Sequence, residues 1–316
     1  MATTTATTPG TTSGTAAGAP KRGTDPMRRQ QAVAAWLLAL PFLALFLVFT
    51  LGPVLASLGM SFTDIKRTDI RTPFAVGFIG IDNYTQLLAD PLFRKVMVNT
   101  GLYVVLGVPL TMAMALAIAV MLNRVTRLRA LFRVGYYLPV VTSIVAVSVV
   151  WKFLLRPEGG LVNSALGAVG LPQPEWLDNP HLALPSLVVM AAWRNLGTLM
   201  IIFLAGLQTI PDEVKEAAQV DGATGWQVFR RITLPMLKPT LLFGAVITSI
   251  GYLQFFEEAF VMTKGGPLDA TRSVTFFTFD QFAFGNYGLA AAASYLLFLA
   301  VVVLTFLQFK VFGEKD

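Results

Sequence analysis

Residues Glu216–Pro235 read E-A-A-Q-V-D-G-A-T-G-W-Q-V-F-R-R-I-T-L-P. This polar, charged stretch lies between two long apolar runs, about 184–208 and 240–263. Apolar runs of that length suit lipid, and a charged segment between them must leave it. The stretch is expected to form a rigid knob outside the bilayer, shaped for a soluble partner.

The rest of the composition agrees with a lipid solvent. The chain has 316 residues, 55% of them hydrophobic and 13% charged, with a mean hydropathy of +0.65. Soluble domains carry about 25% charged residues, and a soluble core of this size could not hide so much apolar surface. With no cysteine there is no disulfide framework, thiolate metal site or cysteine nucleophile. A single histidine, His181, argues against a His-rich metal site or a Ser-His-Asp triad. The net charge of +6 points to cytoplasmic loops of a membrane protein rather than to nucleic acid.

Six segments are long and apolar enough to span a bilayer: about 32–58, 100–122, 136–155, 184–208, 240–263 and 288–312. The expected fold is an all-α integral membrane domain over residues 30–316, preceded by a disordered tail over 1–29 that is rich in Thr, Ala, Gly and Pro. The first apolar run is too long and starts too late for a cleaved signal peptide, so it reads as a retained anchor. Pro41, Pro53 and Pro109 fall inside spans, where neighbouring helices can satisfy the freed carbonyls. Six spans put both termini on one side. With the tail inside, the inner segments hold Lys21, Arg22, Arg28, Arg29, Arg124, Arg127, Arg129, Arg133, Lys215, Arg230, Arg231, Lys238, Lys310 and Lys315, against Lys66, Arg67, Arg71, Arg94, Lys95, Arg156, Lys264 and Arg272 outside: 14 against 8. Both termini and the loop at 209–239 are therefore expected to be cytoplasmic. The loop at 123–135 adds four arginines and no acid.

Within that cytoplasmic loop, Pro211 and Asp212 suit a helix start, with a fixed φ and a side-chain acceptor. A short helix should follow to Asp221, and Gly222 suits its left-handed stop. A second short helix, about Gly225–Arg231, should end at Leu234-Pro235. Ala217 and Ala218 keep one side thin, and Glu216 places an acceptor at its edge. Physics alone also allows an ordinary amphipathic loop that covers helix ends.

The spacing adds more. Glu216-Ala217-Ala218, three residues, Gly222, nine residues, then Ile232-x-Leu234-Pro235 resembles the EAA signature of permease subunits in binding-protein-dependent ABC importers, with every signature position matched. The resemblance extends over most of 30–312. Phe78-x-Gly80-x-x-Asn83-Tyr84-x-x-Leu87 is similar to the first outer loop of sugar-type permeases, and Trp226-Gln227 to their version of the cytoplasmic signature. Thr263-x-Gly265-Gly266-Pro267, with Thr271 after it, is similar to the last outer loop of the maltose-type larger permease.

The resemblance implies a type I importer permease architecture in a prokaryotic inner or plasma membrane. It implies that Glu216, Ala217, Ala218, Asp221, Gly222, Ile232, Leu234 and Pro235 form a coupling element. That element would sit in a cleft of an ATPase subunit, with Glu216 meeting a basic residue there. The implied partners are a homologous second permease, two copies of the ATPase, an extracytoplasmic solute-binding protein and membrane lipid, with no nucleic acid. ATP and Mg would reside on the ATPase. No G-x-x-x-x-G-K-[ST] occurs in this chain, so it carries no P-loop, and no cofactor, metal or catalytic residue is assigned to it. Gly265, Gly266 and Pro267 would belong to the surface that docks the binding protein, although by themselves they read as a tight turn.

Charged groups inside spans mark pathways or structural ion pairs. Arg194 in the fourth span and Glu257 and Glu258 near the outer end of the fifth share a depth, which allows an Arg–Glu contact. With Trp193, Asn195, Tyr252 and Gln254 they form a candidate polar patch for a sugar, since aromatic faces and amides suit sugar rings. Trp36 and Trp151 read as interfacial anchors, Lys152 as a snorkelling boundary residue and His181 as an exposed loop residue. The function expected is import of a carbohydrate. The alternatives are a polyol or glycerol-phosphate ester in the same family, and an ion-driven secondary transporter using Arg194 and the glutamates as a proton relay. A membrane enzyme has no constellation to support it.

Overall fold

The computed structural model describes residues 26–72, 76–124 and 128–312, and these fall into two units that divide between Leu55 and Ala56. The predicted tail lies outside the described residues up to position 25. Its last four residues are helical instead: α1 (Pro26–Phe46) begins at Pro26, where the fixed φ suits a first helical position and the absent N–H costs nothing.

In the first unit, α1 runs through Pro41 into a π turn, Leu47–Leu51, and then into the start of α2 (Gly52–Ser61), which continues past Leu55 into the second. The Gly52 N–H reaches back five residues to the Leu47 carbonyl. That wide turn carries the helix past Pro53, which has no N–H to give. No described side chain of α1 is buried within this chain, as suits a helix whose solvent is lipid.

The second unit carries a 3-10 turn (Arg67–Arg71), α3 (Asp82–Ala89), α4 (Pro91–Arg124), α5 (Arg129–Val141), α6 (Ile144–Leu154), α7 (Leu161–Ala168) and α8 (Ala183–Gln208). After these come α9 (Asp212–Val220), α10 (Gly225–Val228), a π turn (Phe229–Thr233), α11 (Leu234–Met236), α12 (Lys238–Leu253), α13 (Glu257–Met262), α14 (Val274–Phe284) and α15 (Tyr287–Phe312). Among the described residues only one isolated bridge, Thr63 to Phe78, is β-like. The predicted arginine loop at 123–135 is mostly helix: α4 reaches Arg124 and α5 starts at Arg129, leaving only a short connection.

The spine of this unit is α4 packed along α8. One face of α4 is buried at Phe93, Val96, Thr100, Tyr103, Gly107, Thr111, Ala115, Ala119 and Leu122, a three- and four-residue spacing. The opposite face, including Val98, Leu102, Val105 and Met121, is exposed. Pro109 removes one N–H from the ladder on α4, and two residues on, the Thr111 hydroxyl donates to the Gly107 carbonyl at 2.7 Å, a back-bond that satisfies the hydroxyl within an apolar helix. α5 crosses α8 closely because Gly197 lies under the Tyr136 carbonyl, where a Cβ would come within 2.3 Å.

Four spans are continuous: Val33–Ser61, Pro91–Arg124, Ala183–Gln208 and Tyr287–Val311. The expected third and fifth spans are not straight helices. The third is broken at Thr142–Ser143 and bends by 96° between α5 and α6. Thr142 is extended and Ser143 has also left the helical region, with ψ of 144° and 127°. The Thr142 hydroxyl takes up the Leu138 carbonyl at 2.9 Å, and Pro139 lies in the last turn before the break. The fifth is entered through a 66° bend at Leu237, before Lys238-Pro239, and its helix stops at Leu253. Glu257 and Glu258 therefore lie on a separate short helix, α13, rather than near the end of a continuous fifth span.

Candidate functional site

Two constructions meet on α8. Its middle lines a chamber, and its last turn leads into the knob read from residues 216–235.

The knob is a helical hairpin. α9 begins after Pro211, but Asp212 caps nothing: its carboxylate is held by Lys215 at 2.9 Å. The helix ends in a complete Schellman turn. Gly222, at φ +85°, donates to the Gln219 carbonyl at 3.0 Å, and the Ala223 N–H reaches the Ala218 carbonyl at 2.9 Å. α10 then starts on a capping box that the sequence reading missed, although Thr224-x-x-Gln227 is its signature. The Thr224 N–H donates to Gln227 Oε1 at 2.7 Å, and the Gln227 N–H to Thr224 Oγ1 at 3.4 Å. Leu234-Pro235 was expected to end the second helix, yet the helical path continues to Met236. The π turn at 229–233 has already opened the ladder, so Pro235 removes no needed donor. Of the expected coupling residues, Glu216, Ala217, Asp221, Gly222 and Pro235 are exposed, and Ala218, Ile232 and Leu234 are half-buried. Val220 and Trp226 are more exposed than any of these would suggest for apolar side chains, at 87% and 68%.

The chamber, of about 280 Å³, is walled by α4, α6, α8, α12 and α13. It brings together Arg194, Asn195, Tyr252, Gln254, Glu257 and Glu258, six of the seven residues proposed from sequence, and adds Tyr103, Thr198 and Thr248. Trp193 is not among them. It turns the other way and packs on Trp151, ring centroids 5.8 Å apart, in an apolar groove at the bend of α5 and α6.

Inside the chamber the predicted Arg–Glu pair is absent: among the described residues neither glutamate forms an ion pair with Arg194. Glu258 is buried and accepts a hydrogen bond from the Tyr103 hydroxyl at 2.6 Å. Tyr103 stacks on Phe255, centroids 3.8 Å apart, and leans on Tyr252 at 5.1 Å. Tyr252 shares a hydrogen bond with the Thr111 hydroxyl at 2.7 Å. Its ring lies over Gly107, where a Cβ would come within 2.1 Å. Arg194 reaches only the neighbouring Asn195 Oδ1, at 3.4 Å, and its buried Nε has no partner among the described residues. The chamber thus holds one under-satisfied guanidinium, two carboxyls and several amides and hydroxyls beside aromatic faces. Such a set can exchange hydrogen bonds with a hydroxyl-rich solute.

At the C-terminal end of α13, the predicted docking turn is a scaffolded loop. Gly265 (φ +84°) is buried and its N–H donates to the Ala259 carbonyl, so it holds the loop rather than presenting it. Thr271 ties the loop through Thr263 and the Gly266 carbonyl, at 2.6 and 2.8 Å. Asn99 of α4 donates to the carbonyls of Asp269 and Arg272, at 2.7 and 3.0 Å. The exposed tip is formed by Lys264 and Leu268, with Gly266 and Pro267 half-buried behind it. The Phe78–Leu87 motif is also structural. Asn83 is buried and donates to the carbonyls of Ser61 and Thr63, and Leu87 is in the core.

Residues 96–311 match the family of binding-protein-dependent transport system inner membrane components. The chain is 36% identical over 296 residues to the lactose transport system permease protein LacF of Rhizobium radiobacter, covering 92% of this chain and 97% of that protein. It is 30% identical over 288 residues to the trehalose/maltose transport system permease protein MalF of Thermococcus litoralis, covering 91% and 96%. A chain of the bacterial alginate ABC transporter, solved in complex with an alginate pentasaccharide-bound periplasmic protein, superposes with a TM-score of 0.74 at 27% identity, covering 90% of this chain and 94% of that one. The chain belongs to the family of binding-protein-dependent transport system inner membrane components and is a multi-pass membrane permease of the sugar ABC importer type.

Proposed function

We propose that this chain forms half of the translocation pathway of an ATP-driven carbohydrate importer, and that Glu216–Pro235 receives the stroke of a separate ATPase subunit. The observation that carries the reading is the continuity of α8. The same helix supplies Arg194, Asn195 and Thr198 to the chamber and, about 14 Å beyond Leu199 at 1.5 Å per residue, hands the chain to the knob. A displacement of the knob is therefore a displacement of a chamber wall. The named relatives support the solute class: they are permeases for lactose, arabinooligosaccharides and trehalose or maltose. The complete importer is expected to contain a second homologous permease, two ATPase copies holding ATP and Mg, and an extracytoplasmic binding protein. The knob and both termini face the cytoplasm of a prokaryotic cell. Energy enters as a population shift, since ATP-bound and ATP-free ATPase pairs bind the two permease conformations differently.

The chamber's charge favours a neutral saccharide over an anionic ester. Among the described residues Arg194 is its one cation, and two carboxyls share the space. The solved relatives serve an acidic polysaccharide, alginate, so competition tests the point directly. Proteoliposomes holding the assembled importer should take up a labelled neutral oligosaccharide only with ATP and binding protein, and uronate oligomers should compete weakly. Uptake that persists without ATP and collapses with a proton gradient would support a secondary transporter instead. Glu216→Lys should weaken ATPase co-purification while leaving membrane insertion intact; unchanged assembly and transport would remove the coupling role.

A further inference from the structure

Between the end of α6 at Leu154 and the start of α8 at Ala183 the chain makes a small hairpin around α7, at the end of α8 opposite the knob. One face of α7 is fixed to the protein. Asn163 is buried and donates its amide to the carbonyls of Pro157 and Pro174, each at 3.1 Å, while its Oδ1 accepts the Trp176 indole N–H at 2.7 Å. Val162, Trp176 and Leu177 pack on the core that includes Leu155, Leu184 and Leu187, at the ends of α6 and α8. The hairpin therefore lies against the ends of two membrane segments rather than standing off them.

The opposite face is turned outward. Leu161, Ala165 and Ala168 recur at four- and three-residue spacing, and all three are exposed. Leu161 is 71% exposed, and Val169 and Leu171, which extend the stripe into the turn after α7, are 70% and 53% exposed. No residue from 159 to 174 is charged. The loop after α13 borders the same end of α6 and carries Lys264, Asp269 and Arg272, the composition of a segment that meets water. An uncharged helix that turns bulky apolar side chains outward at the level where spans end meets lipid instead.

α6 has a use for such a contact. Its eleven residues extend about 16 Å, roughly half of the hydrocarbon thickness. The 96° break before it leaves no continuous helix to fix its depth. Its exposed side chains Val149, Val150 and Phe153 carry an apolar surface almost to the hairpin, and Lys152 and Arg156 are exposed at its end, where long cationic side chains can reach headgroups. We propose that the face of α7 bearing Leu161, Ala165, Ala168 and Val169 lies in the bilayer interface of the leaflet opposite the knob, and that it holds the end of α6 at a fixed depth. The occupant is the upper acyl region of the lipid, since the face has no charge to offer a headgroup. Nothing in this assignment depends on the solute or on ATP.

The chain has no cysteine, so single cysteines carry the test. An environment-sensitive fluorophore is attached at Leu161→Cys, Ala165→Cys or Ala168→Cys in the full-length chain in liposomes, both alone and in the assembled importer. Leu38→Cys, exposed within the first span, marks lipid, and Glu158→Cys, exposed just before the hairpin, marks water. The three α7 labels should be quenched severalfold less by aqueous iodide than the Glu158→Cys label. They should be quenched most by phospholipids brominated near the top of the acyl chains, about 5–10 Å into the boundary. The pattern should be the same in neutral and anionic vesicles, at low and high salt, and with or without partner subunits. Adding Ala165→Asp should expose the Leu161→Cys label to iodide severalfold and leave the Leu38→Cys label unchanged. Iodide access equal to that at Glu158→Cys would overturn the proposal. So would protection that appears only when a second permease or a binding protein is present, which would make the face a protein contact, or protection that follows anionic-lipid content.

Discussion

Gly222 is the position where a small change should have the most readable effect. Its φ of +85° is left-handed, and nothing lies within 4 Å of the point where a Cβ would sit. Substitution therefore meets no steric neighbour, and its cost is that of the backbone alone. For an L-residue with a Cβ the left-handed conformation costs roughly 1–2 kcal/mol. α9 has nine residues and no buried one, and isolated helices of that length are marginal in water. The Schellman bonds from Gly222 and Ala223 are thus a large part of what closes the hairpin. A cost of 1–2 kcal/mol lowers the hairpin's formed-to-unformed ratio by roughly 5- to 30-fold. Asn tolerates the left-handed region better than Ala, and a β-branched residue worse. The affinity of the ATPase subunit for the permease should then fall in the order Gly, Asn, Ala, Val, with the amount of inserted permease constant. Co-purification and binding-protein-stimulated ATP hydrolysis in proteoliposomes measure it. Equal coupling in Gly222→Ala and Gly222→Val would refute the argument, because it would show that the hairpin's closed form is not what the ATPase grips.

Other expectations follow from the chamber and the outer loop. Gly107→Ala places a Cβ 2.1 Å from the Tyr252 ring. It should cost about 1–3 kcal/mol in thermal unfolding of the detergent-purified chain, and Tyr252→Ala in the same molecule should recover part of it. Tyr103→Phe leaves buried Glu258 without its donor; a double-mutant cycle with Glu258→Gln should give a coupling of about 0.5–3 kcal/mol in stability, and additive effects would deny the bond. Asp280, with a side chain 23% exposed and 3.3 Å from Arg272, has its carboxyl raised above the usual value: burial pushes it up, and Arg272 opposes this only in part. The folded chain then holds that proton more tightly than the unfolded one, so this group's contribution to stability falls as pH rises from 3.8 through its raised value. Asp280→Asn should abolish that segment of the pH–stability slope, seen in unfolding curves between acid and mildly acid pH.

What could be read from the sequence was what depends on local chemistry. Gly222 announces a left-handed stop, and the run from Ala183 to Gln208 is long enough to be one helix whatever surrounds it. The chamber was legible where charge is costly, at Arg194, Glu257 and Glu258. Tyr103 was not, because its partner Glu258 is 155 residues away and an aromatic residue in an apolar helix carries no mark of its role. Trp193 falls outside the chamber's lining by phase: one residue from Arg194 is about 100° around a helix, enough to turn it away from the chamber and onto Trp151. The 96° bend at Thr142–Ser143 joins two apolar stretches, so hydropathy runs through it, and only Pro139 hinted at a stop. Gln254–Phe256, between α12 and α13, contains no Gly or Pro, and the one local sign of a stop is Gly251 in the last turn of α12, whose carbonyl accepts the Gln254 N–H at 3.2 Å.

The ties between α4 and the last outer loop have a consequence for synthesis. Asn99 and Lys95 hold the carbonyls of Leu268, Asp269 and Arg272, and Thr100 accepts the Val274 N–H, across separations of 170 to 174 residues. A ribosome making this chain delivers one half of that assembly long before the other. Until residue 268 has emerged, the polar side chains at the head of α4 have none of these acceptors and donors to meet, and the set is complete only at residue 274. The loop after α13 is therefore finished late, only after the intervening helices have been made. A chain truncated before Thr271 would keep the knob's sequence whole and lack the completed loop after α13.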